Sequence, residues 1–322
     1  MAFDRVAVVG AGAWGTALAQ VAAIAGHAVT LVGRDPRAID DINRNHRNSA
    51  HLGNQLLSDR VTGALTLPDV ELVILAVPAQ ASRAALTPIA AALAHLPVVL
   101  TAKGLEHLTL QRQSEILAEV SPTAIPYVLS GPSFAADVAA GRPTAVTLAG
   151  DDPEQTSAVA AALAGPTFRL YAADDRLGVE LAGALKNVYA VGCGAVDGAG
   201  LGASARAALL ARAFAELTRL VVRMGGSAST LTGLAGLGDL TLSCTSTQSR
   251  NYRYGVSLGR GEAAGGELAE GVLTAPVAKA LADQVRIDAP LIDAVNLLIE
   301  GNTSITDIVA GLMSRPLKRE ED

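Results

Sequence analysis

A glycine-rich segment between a short β-like run and an alanine-rich stretch constrains this chain more than any other feature. The run Arg5–Val9 is almost wholly aliphatic, and residues 14–25 have the composition of a helix. A second β-rich run, Ala28–Val32, follows. The segment that joins the first run to the helix has the pattern G-x-G-x-x-G and consists of Gly10, Ala11, Gly12, Ala13, Trp14 and Gly15. A strand, glycine turn, helix and strand in this order predict a unit that binds a dinucleotide.

Each glycine of this turn has a separate physical reason. Gly10 allows the tight turn, Gly12 lets a pyrophosphate approach the backbone, and Gly15 permits close packing of the helix on the strand. The exposed N–H groups and the positive dipole end of the helix that follows, next to Ala13 and Trp14, then attract the phosphates. The alternative is a glycine turn that merely packs.

The residues after the second run bear on the choice of cofactor. The tip of such a strand normally carries an acidic residue for the ribose hydroxyls of NAD, whereas here Gly33 is followed by Arg34 and Asp35. A small neutral residue followed by an arginine suits the 2′-phosphate of NADP, while Asp35 leaves NAD possible. We therefore expect NADP or NAD as the cofactor, with NADPH favoured.

Short β-rich runs alternate with helical stretches through the first half of the chain. Several runs are continuously apolar, as expected for strands of a parallel sheet that is covered on both faces. The predicted strands are Arg5–Val9, Ala28–Val32 and residues 72–77, 98–102, 127–129 and 145–148, and the predicted helices are residues 14–25, 79–94 and 109–119. Strand-like runs end near Asp174, and the segments that dominate afterwards are rich in Ala and Leu: residues 179–189, 205–224, 275–282 and 291–300.

The length of 322 residues favours two domains. We expect an α/β protein in which a Rossmann-type dinucleotide-binding domain, residues 1–175, precedes an all-helical domain, residues 176–322, that carries substrate-binding and catalytic groups. The charged tail, residues 318–322, is interpreted as a solvated end.

Composition excludes several function classes. The formal net charge of −6 gives no broad basic surface, so neither a nucleic-acid partner nor an anionic membrane surface is expected. No apolar stretch reaches the roughly 20 residues of a membrane span, and the first residues lack a signal-peptide core. Cys193 and Cys244 are interpreted as buried small residues in a reducing compartment. The five histidines show no ligand spacing, so no bound metal is expected. Together with the absence of a predicted span or signal peptide, the cysteines favour a cytoplasmic protein.

Two lysines are candidates for chemistry. Lys186 lies in an apolar helical stretch, where a lysine either extends its ammonium group to solvent or is functional. Burial would disfavour the charged form and suit this lysine to exchange a proton with a substrate hydroxyl or carbonyl. Lys103 follows the predicted strand 98–102, from where it could reach an anionic substrate, although a solvated loop lysine is the alternative.

Polar groups that suit an anionic substrate occur at two further places. Gly131 and Ser133 lie in a turn after the predicted strand 127–129, at the strand end where open α/β sheets bind ligands, although a plain turn is the alternative. Asp239 could hold a catalytic lysine or a substrate hydroxyl, or simply cap a helix. The donor set that phosphate recognition requires, a hydroxyl, a guanidinium and an amide, is present in Ser249, Arg250 and Asn251.

These segments together resemble the bacterial-type NAD(P)-dependent glycerol-3-phosphate dehydrogenase family, essentially from end to end. The matching segments are Gly10 to Gly15 and residues 77–80, 103–106, 129–134, 143–145, 183–189, 233–240, 249–251 and 270–272. So many separate motifs in one order argue against chance similarity. The departures are Ala203, where the family often has an acidic residue, and His51, where it often has an aromatic one, so the match is weakest around residues 46–54.

The resemblance implies a Rossmann domain and an all-helical domain with the active site in the cleft between them. It also implies interconversion of dihydroxyacetone phosphate and sn-glycerol 3-phosphate with NAD(P)H, which supplies glycerol 3-phosphate for phospholipid synthesis. By matching position, Lys186 resembles the family's proton acceptor. The positions that resemble its substrate contacts are Lys103, Gly131, Ser133, Asp239, Ser249, Arg250 and Asn251. The positions expected at the cofactor are Gly10, Gly12, Ala13, Trp14, Gly15, Arg34, Lys103, Ala135, Arg250, Leu268 and Glu270.

Two other classes of protein compete with this interpretation. Another dehydrogenase with a helical domain, such as a 3-hydroxyacid or ketopantoate reductase, could also use a lysine near an asparagine. The donor set at Ser249, Arg250 and Asn251 favours a phosphorylated substrate instead. A dinucleotide-sensing protein without turnover would explain the glycine turn, but it gives no use for Lys186 on an apolar helix. A homodimer is the expected assembly, because it is the commonest default.

Overall fold

A computed structural model describes residues 3–262, 268–301 and 303–316 of the chain, so the predicted solvated tail at residues 318–322 lies outside the described part. The strands are β1 Arg5–Val9, β2 Ala28–Val32, β3 Val61–Ala64, β4 Leu72–Leu75, β5 Pro97–Leu100, β6 Ile125–Ser130, β7 Thr144–Ala149 and β8 Phe168–Ala173. The helices are α1 Ala13–Ile24, α2 Pro36–Asn45, α3 Ser49–Leu52, α4 Ser82–Leu86, α5 Gln113–Val120, α6 Ala135–Ala139, α7 Pro153–Leu163, α8 Arg176–Gly198, α9 Ala203–Arg223, α10 Ala228–Thr232, α11 Asp239–Thr245, α12 Arg250–Gly259, α13 Glu270–Val285, α14 Pro290–Glu300 and α15 Ile305–Met313.

The strands form one sheet in the order β3-β2-β1-β4-β5-β6-β7-β8. The chain moves from β1 towards one edge through β2 and β3, and then returns past β1 and builds the other side from β4 onwards. All pairs from β3 to β6 in this order are parallel. The strand order therefore reverses beside β1, and open α/β sheets bind ligands outside the carboxyl ends of the strands at such a point.

Helices cover both faces of this sheet. Val6, Ala7 and Val8 of β1 are each fully buried. Val6 and Val8 belong to an apolar cluster that includes residues of α1, α6 and α7, whereas Ala7 belongs to a second cluster that includes residues of α4 and α5. The prediction of an α/β protein with continuously apolar strands buried on both sides is confirmed.

The sheet departs from the predicted all-parallel arrangement at one pair, because β6 and β7 are antiparallel. The connection, residues 131–143, contains only the short helix α6 and brings the chain back at the edge of the sheet where β6 ended. The two edge strands β3 and β8 were not predicted. β3 contains Gly63, and β8 exposes Arg169 and Tyr171, so neither has the continuous apolar run of a central strand.

The predicted helix at residues 79–94 is wrong as a single helix. Only α4 is α-helical, and it is flanked by the 3-10 segments Ala79–Ala81 and Thr87–Leu93. Pro88 lies in the first turn of the second segment. Because proline has no N–H and its ring clashes with the carbonyl four residues earlier, an α-helix cannot continue through this position without distortion.

The chain divides into two compact units. The first comprises Met1–Ala184 and Gly225–Asp239, and the second comprises Leu185–Met224 and Leu240–Asp322. Helix α8 contributes residues to both units. The last strand ends at Ala173 and α8 begins at Arg176, so the change from strands to helices lies close to the predicted domain boundary, which stays a prediction. Within the described ranges, none of the helices is both long and apolar enough to cross a membrane.

In the second unit, α8 and α12 pack with their backbones in direct contact. An added Cβ at Gly194 of α8 would lie 2.0 Å from the carbonyl oxygen of Tyr252, and one at Gly255 of α12 would lie 2.0 Å from that of Val191. Only glycine is compatible with such an approach. The positions of side chains on α8 and α12 relative to each other are therefore fixed by main-chain contact.

Candidate active site

The glycine turn lies at the carboxyl end of β1 and leads into α1. Gly10 has φ +117°, and an added Cβ would lie 2.5 Å from the carbonyl oxygen of Ala76, while one at Gly15 would lie 1.9 Å from that of Gly10. An added Cβ at Gly12 would meet nothing within 4 Å. Two glycines therefore allow the chain to pack and the third keeps the surface open. Gly12 is also the N-cap of α1, and no described side chain caps it.

An uncapped helix N-terminus with an open glycine fits a pyrophosphate, because its first N–H groups have no intrahelical acceptor. Ala13 and Trp14, both expected at the cofactor, are the first two residues of α1. Ala135, another expected cofactor residue, is likewise the first residue of a helix, α6, that has no described side-chain cap.

The structure shows how the residues after β2 are placed, beginning with Asp35. Its carboxylate caps α2 by accepting a hydrogen bond from the backbone N–H of Arg37 at 2.9 Å. Gly33 is buried, and an added Cβ there would lie 2.7 Å from Cβ of Ala11, so no acidic side chain fits at this position. Arg34 lies between them and is exposed.

Lys103 and Asp239, far apart in the sequence, form an ion pair in the first unit. The Lys103 ammonium group donates to Oδ2 of Asp239 at 2.7 Å and to the carbonyl oxygen of Gly131 at 2.9 Å. The Asp239 side chain is 1% exposed and that of Lys103 is 16% exposed. Lys103 is therefore a partly buried, fixed cation near the carboxyl ends of β5 and β6, rather than a solvated loop lysine. The lysine that Asp239 holds in this ion pair is Lys103, whereas the candidate for proton transfer is Lys186, and Asp239 also begins α11.

The turn after β6 is built closely around this ion pair. Gly131 has φ +146°, and an added Cβ would lie 2.9 Å from Cα of Val146. The Ser133 hydroxyl donates to the Gly131 carbonyl oxygen at 3.1 Å, so this carbonyl receives hydrogen bonds from both Ser133 and Lys103. The structure thus brings together the four predicted substrate-binding positions of the first unit.

Lys186 does not extend its ammonium group to solvent. It is 6% exposed on α8, and its ammonium group donates to the hydroxyl of Ser243 on α11 at 2.5 Å. Leu185 and Val188 beside it are fully buried. A cation held in such surroundings carries a desolvation cost, and functional sites are where proteins commonly retain it.

Asn251, predicted as a substrate contact, uses its amide to link three helices of the second unit. Its Nδ2 donates to Oδ1 of Asn187 at 2.9 Å, and its Oδ1 accepts from the backbone N–H of Gly271 at 2.8 Å. Asn187 follows Lys186 directly on α8. These bonds fix the side chain of Asn251 relative to the helix that carries Lys186.

The other members of the predicted phosphate-binding group lie at the N-terminus of α12. Ser249 is its N-cap, and its hydroxyl accepts from the backbone N–H of Tyr252 at 3.3 Å. Arg250 is the first residue of the helix and is exposed. Arg253, one turn further on, donates to the carbonyl oxygen of Thr247 at 2.6 Å. The guanidinium of Arg253 is thus committed to the preceding loop, whereas that of Arg250 faces solvent.

The last two predicted cofactor residues lie at the start of α13. Glu270 is the first residue of this helix and is partly buried, and Leu268 precedes it with 42% of its surface exposed. His51, in the segment where the match to the family is weakest, lies in the short helix α3 and is exposed. In the described ranges, no group of three or more His, Cys, Asp or Glu side chains could hold a metal ion.

Sequence patterns missed several residues that shape the site. Ser243 gave no signal, because it lies 57 positions from Lys186 in the sequence. An added Cβ at Gly183 would lie 2.6 Å from the buried hydroxyl of Ser130, so this glycine permits close approach of α8 to the end of β6. The loop that carries Lys103 is further held by Arg83, whose hydrogen bonds to Glu106 lower the pKa of that carboxyl.

These features define a class of protein: a dinucleotide-binding Rossmann-type domain accompanied by helices that carry a buried lysine. Two family models match the chain. The N-terminal model of NAD-dependent glycerol-3-phosphate dehydrogenase matches residues 5–156, and the C-terminal model matches residues 175–310. The chain therefore belongs to the NAD-dependent glycerol-3-phosphate dehydrogenase family, and the resemblance inferred from its motifs is confirmed.

Individual relatives agree over nearly the whole length. Glycerol-3-phosphate dehydrogenase (NAD(P)+) of Caulobacter vibrioides is 48% identical over 330 residues, which cover 99% of this chain and 100% of the relative. The enzyme of the same name from Brucella ovis is 47% identical over 98% of this chain and 99% of its own. The crystal structure of glycerol-3-phosphate dehydrogenase from Coxiella burnetii superposes with a TM-score of 0.91 at 35% identity, covering 97% of this chain and 99% of that one.

Proposed function

We propose that this chain interconverts dihydroxyacetone phosphate and sn-glycerol 3-phosphate by hydride transfer with NAD(P). Family membership over both halves of the chain supports the reaction. The observation that carries the residue assignment is Lys186, which is only 6% exposed on an apolar helix and donates to the hydroxyl of Ser243. A buried lysine that meets a hydroxyl is suited to move a proton.

The glycine turn holds the cofactor. Gly12, where the backbone is open, and the N–H groups of Ala13 and Trp14 at the start of α1 would hold its pyrophosphate. The remaining proposed contacts are Gly10, Gly15, Arg34, Lys103, Ala135, Arg250, Leu268 and Glu270. When bound, the nicotinamide supplies the hydride for reduction of the carbonyl carbon and accepts it in oxidation.

Substrate binding separates into a phosphate group and a group around the reacting carbon. Arg250, with Ser249 and Asn251, binds the phosphate through a forked cation, a hydroxyl and an amide at the start of α12. The proposed contacts to the rest of the substrate are Lys103, Gly131, Ser133 and Asp239. Binding the remote phosphate orients the carbonyl for reaction, so phosphate contacts contribute to turnover as well as to affinity.

Lys186 performs the proton transfer. In the reductive direction its ammonium group donates a proton to the substrate's carbonyl oxygen as this becomes the C2 hydroxyl. In the oxidative direction its neutral amine accepts the proton of that hydroxyl. Ser243, hydrogen-bonded to the ammonium group, holds the nitrogen in place between these events.

The test is absorbance loss when purified protein is mixed with NADPH and dihydroxyacetone phosphate, compared with dihydroxyacetone and ketopantoate. We expect turnover of the phosphorylated substrate. Lys186→Ala should still bind cofactor but lose about 10²–10⁴-fold in kcat, because a proton-transfer group is removed. The matched control is Lys279→Ala, because Lys279 is an exposed lysine of the same unit that pairs with Asp293. This variant should turn over substrate as the wild type does.

Three outcomes would contradict the proposal. Faster turnover of ketopantoate would favour the competing reductase, and cofactor binding without turnover of any substrate would favour a sensing protein. Near-normal kcat in Lys186→Ala would leave the reaction in place but end the assignment of the proton to this lysine.

The finer parts of the proposal concern cofactor preference and cellular setting. NADPH is preferred over NADH, because Arg34 is exposed beside the end of β2 while the Asp35 carboxylate is engaged as a helix cap. The enzyme is cytoplasmic, it acts as a homodimer, and its glycerol 3-phosphate supplies phospholipid synthesis. Mass measurement in solution at several protein concentrations tests the dimer, and a single monomer mass at all of them would refute it.

A further inference from the structure

We infer that Asn48 is a positioning residue for cofactor binding, which orients the backbone N–H groups of the glycine turn. The inference rests on the proposed function, because it assigns a new residue to the same cofactor site. Asn48 does not belong to the glycine motif and lies 37 positions after Ala11 in the sequence. All residues involved belong to the first unit.

The side chain of Asn48 is fully buried directly against the turn. Its Nδ2 donates to the carbonyl oxygen of Ala11 at 2.9 Å and to the hydroxyl of Thr16 at 2.8 Å. The Thr16 hydroxyl in turn donates to the carbonyl oxygen of Gly12 at 2.8 Å. One amide group is thus connected to two consecutive carbonyl groups of the glycine turn.

These two carbonyl groups determine the direction of the N–H groups that face a pyrophosphate. A trans peptide is planar, and its C=O and N–H point in opposite directions. Holding the Ala11 carbonyl towards Asn48 therefore directs the N–H of Gly12 away from Asn48. The Gly12 carbonyl oxygen accepts from the backbone N–H of Thr16 at 2.9 Å as well as from its hydroxyl, and these two bonds fix the N–H of Ala13 in the same way. Gly12 has no side chain to restrict its own conformation, so this external restraint reduces the freedom that cofactor binding must otherwise remove.

Asn48 can act as a restraint because its own backbone is fixed. Its carbonyl oxygen accepts from the N–H groups of His51 and Leu52 at 3.0 and 2.9 Å, which anchors it to α3. The next residue, Ser49, donates its N–H to Oδ2 of Asp41 on α2 at 2.9 Å. Residues 46–54, where the match to the family is weakest, therefore contribute to the geometry of the turn through Asn48.

The experiment uses the sole tryptophan of the chain, Trp14, which lies within the turn itself. Quenching of its fluorescence by NADPH or NADH, without substrate, gives the dissociation constant for each cofactor. Asn48→Ala removes both hydrogen bonds and should raise both constants by about tenfold, which is about 1.4 kcal/mol of binding free energy. The factor should be equal for the two cofactors, because the pyrophosphate is common to both. At saturating cofactor, kcat should stay within about twofold of the wild type.

Three variants serve as controls. Thr16→Val removes the hydroxyl that links Asn48 to Gly12 and should raise both constants by about threefold, whereas Thr16→Ser keeps the hydroxyl and should bind as the wild type does. Asn54→Ala replaces an exposed asparagine of the same segment and should change nothing. In the cofactor-free protein, Asn48→Ala should lower the fluorescence anisotropy of Trp14 while the far-ultraviolet circular dichroism is unchanged.

Wild-type affinity in Asn48→Ala would overturn this inference alone, provided that the wild type binds NADPH. Absence of NADPH binding in the wild type would overturn the proposed function and this inference with it. If Asn48→Ala does not fold, the two Thr16 variants decide: equal affinity of Thr16→Val and Thr16→Ser refutes the restraint.

Discussion

Glu216 provides a test of how a buried carboxyl couples pH to the stability of the second unit. This side chain of α9 is 1% exposed and accepts from the backbone N–H groups of Leu291 and Ile292, both at 3.0 Å. It thereby caps α14, whose N-cap residue Ala289 provides no side-chain cap. The hydroxyl of Tyr189, three residues after Lys186 on α8, donates to it at 3.4 Å.

Burial raises the pKa of Glu216 from its ordinary value of 4.5 to about 7. The folded state therefore binds a proton between these two values, while the unfolded state has already lost it. The resulting stabilisation is fully present below the unfolded pKa and is lost as the pH rises through the folded pKa. With 1.36 kcal/mol per pKa unit, the free energy of unfolding should fall by about 2–3 kcal/mol between pH 5 and pH 8 through this group alone.

The assay is urea unfolding followed by far-ultraviolet circular dichroism at several pH values, in the wild type and in Glu216→Gln. Other carboxyls titrate in both proteins, including the buried Glu180, whose pKa burial also raises, so the difference between the two curves isolates Glu216. The free energy of unfolding of the wild type, relative to that of Glu216→Gln, should fall steadily between pH 5 and pH 8. Glu300 is an exposed carboxyl of the same unit, so the free energy of unfolding of Glu300→Gln should change with pH as that of the wild type does. Parallel curves for Glu216→Gln would refute the linkage.

Two further predictions concern Arg250 and Arg34, the arginines that are proposed to bind ligands. Arg250→Ala should raise KM and lower kcat for dihydroxyacetone phosphate more than for dihydroxyacetone. Arg253→Ala should have a smaller effect, because the Arg253 side chain is bound to its own loop. Equal loss of activity with both substrates would contradict a phosphate role for Arg250. Arg34→Ala should lower kcat/KM for NADPH by about tenfold and leave NADH nearly unchanged at fixed ionic strength, with Arg37→Ala as the control. Equal weakening with both cofactors would make Arg34 an adenine-stacking residue.

The sequence predicted the elements whose pattern is local. β1 and β2 have the predicted bounds, because a buried parallel strand is a continuous apolar run and the glycine turn fixes where it ends. The edge strands β3 and β8 were missed because one of their faces is solvated. The antiparallel β7 was predicted as a strand, but its direction depends on the path of the connection after Gly131, which apolar periodicity does not record.

Predicted site residues came from two different kinds of information. The glycine turn follows from backbone physics, since each glycine occupies a position where a Cβ would clash or block the surface. Lys186 and Asp239 could not be distinguished from ordinary residues by spacing alone, and only the family resemblance selected them. Lys186 bonds to Ser243 and Asp239 bonds to Lys103, and each partner is distant in the sequence. These hydrogen bonds therefore depend on tertiary packing that no local pattern encodes.

The packing of α8 on α12 fixes the spacing of the groups that these two helices carry in the second unit. Gly194 and Gly255 bring the two backbones into contact, so the spacing between the helices depends on main-chain atoms rather than on rotamers. Lys186 lies on one helix and Arg250 begins the other, and the hydrogen bond from Asn251 to Asn187 joins them close to both. A proton donor and a phosphate ligand must keep a fixed separation to act on one small substrate, since misplacement by about 1 Å can cost about 100-fold in rate. Glycines that look merely permissive in the sequence therefore set the geometry on which the proposed reaction depends.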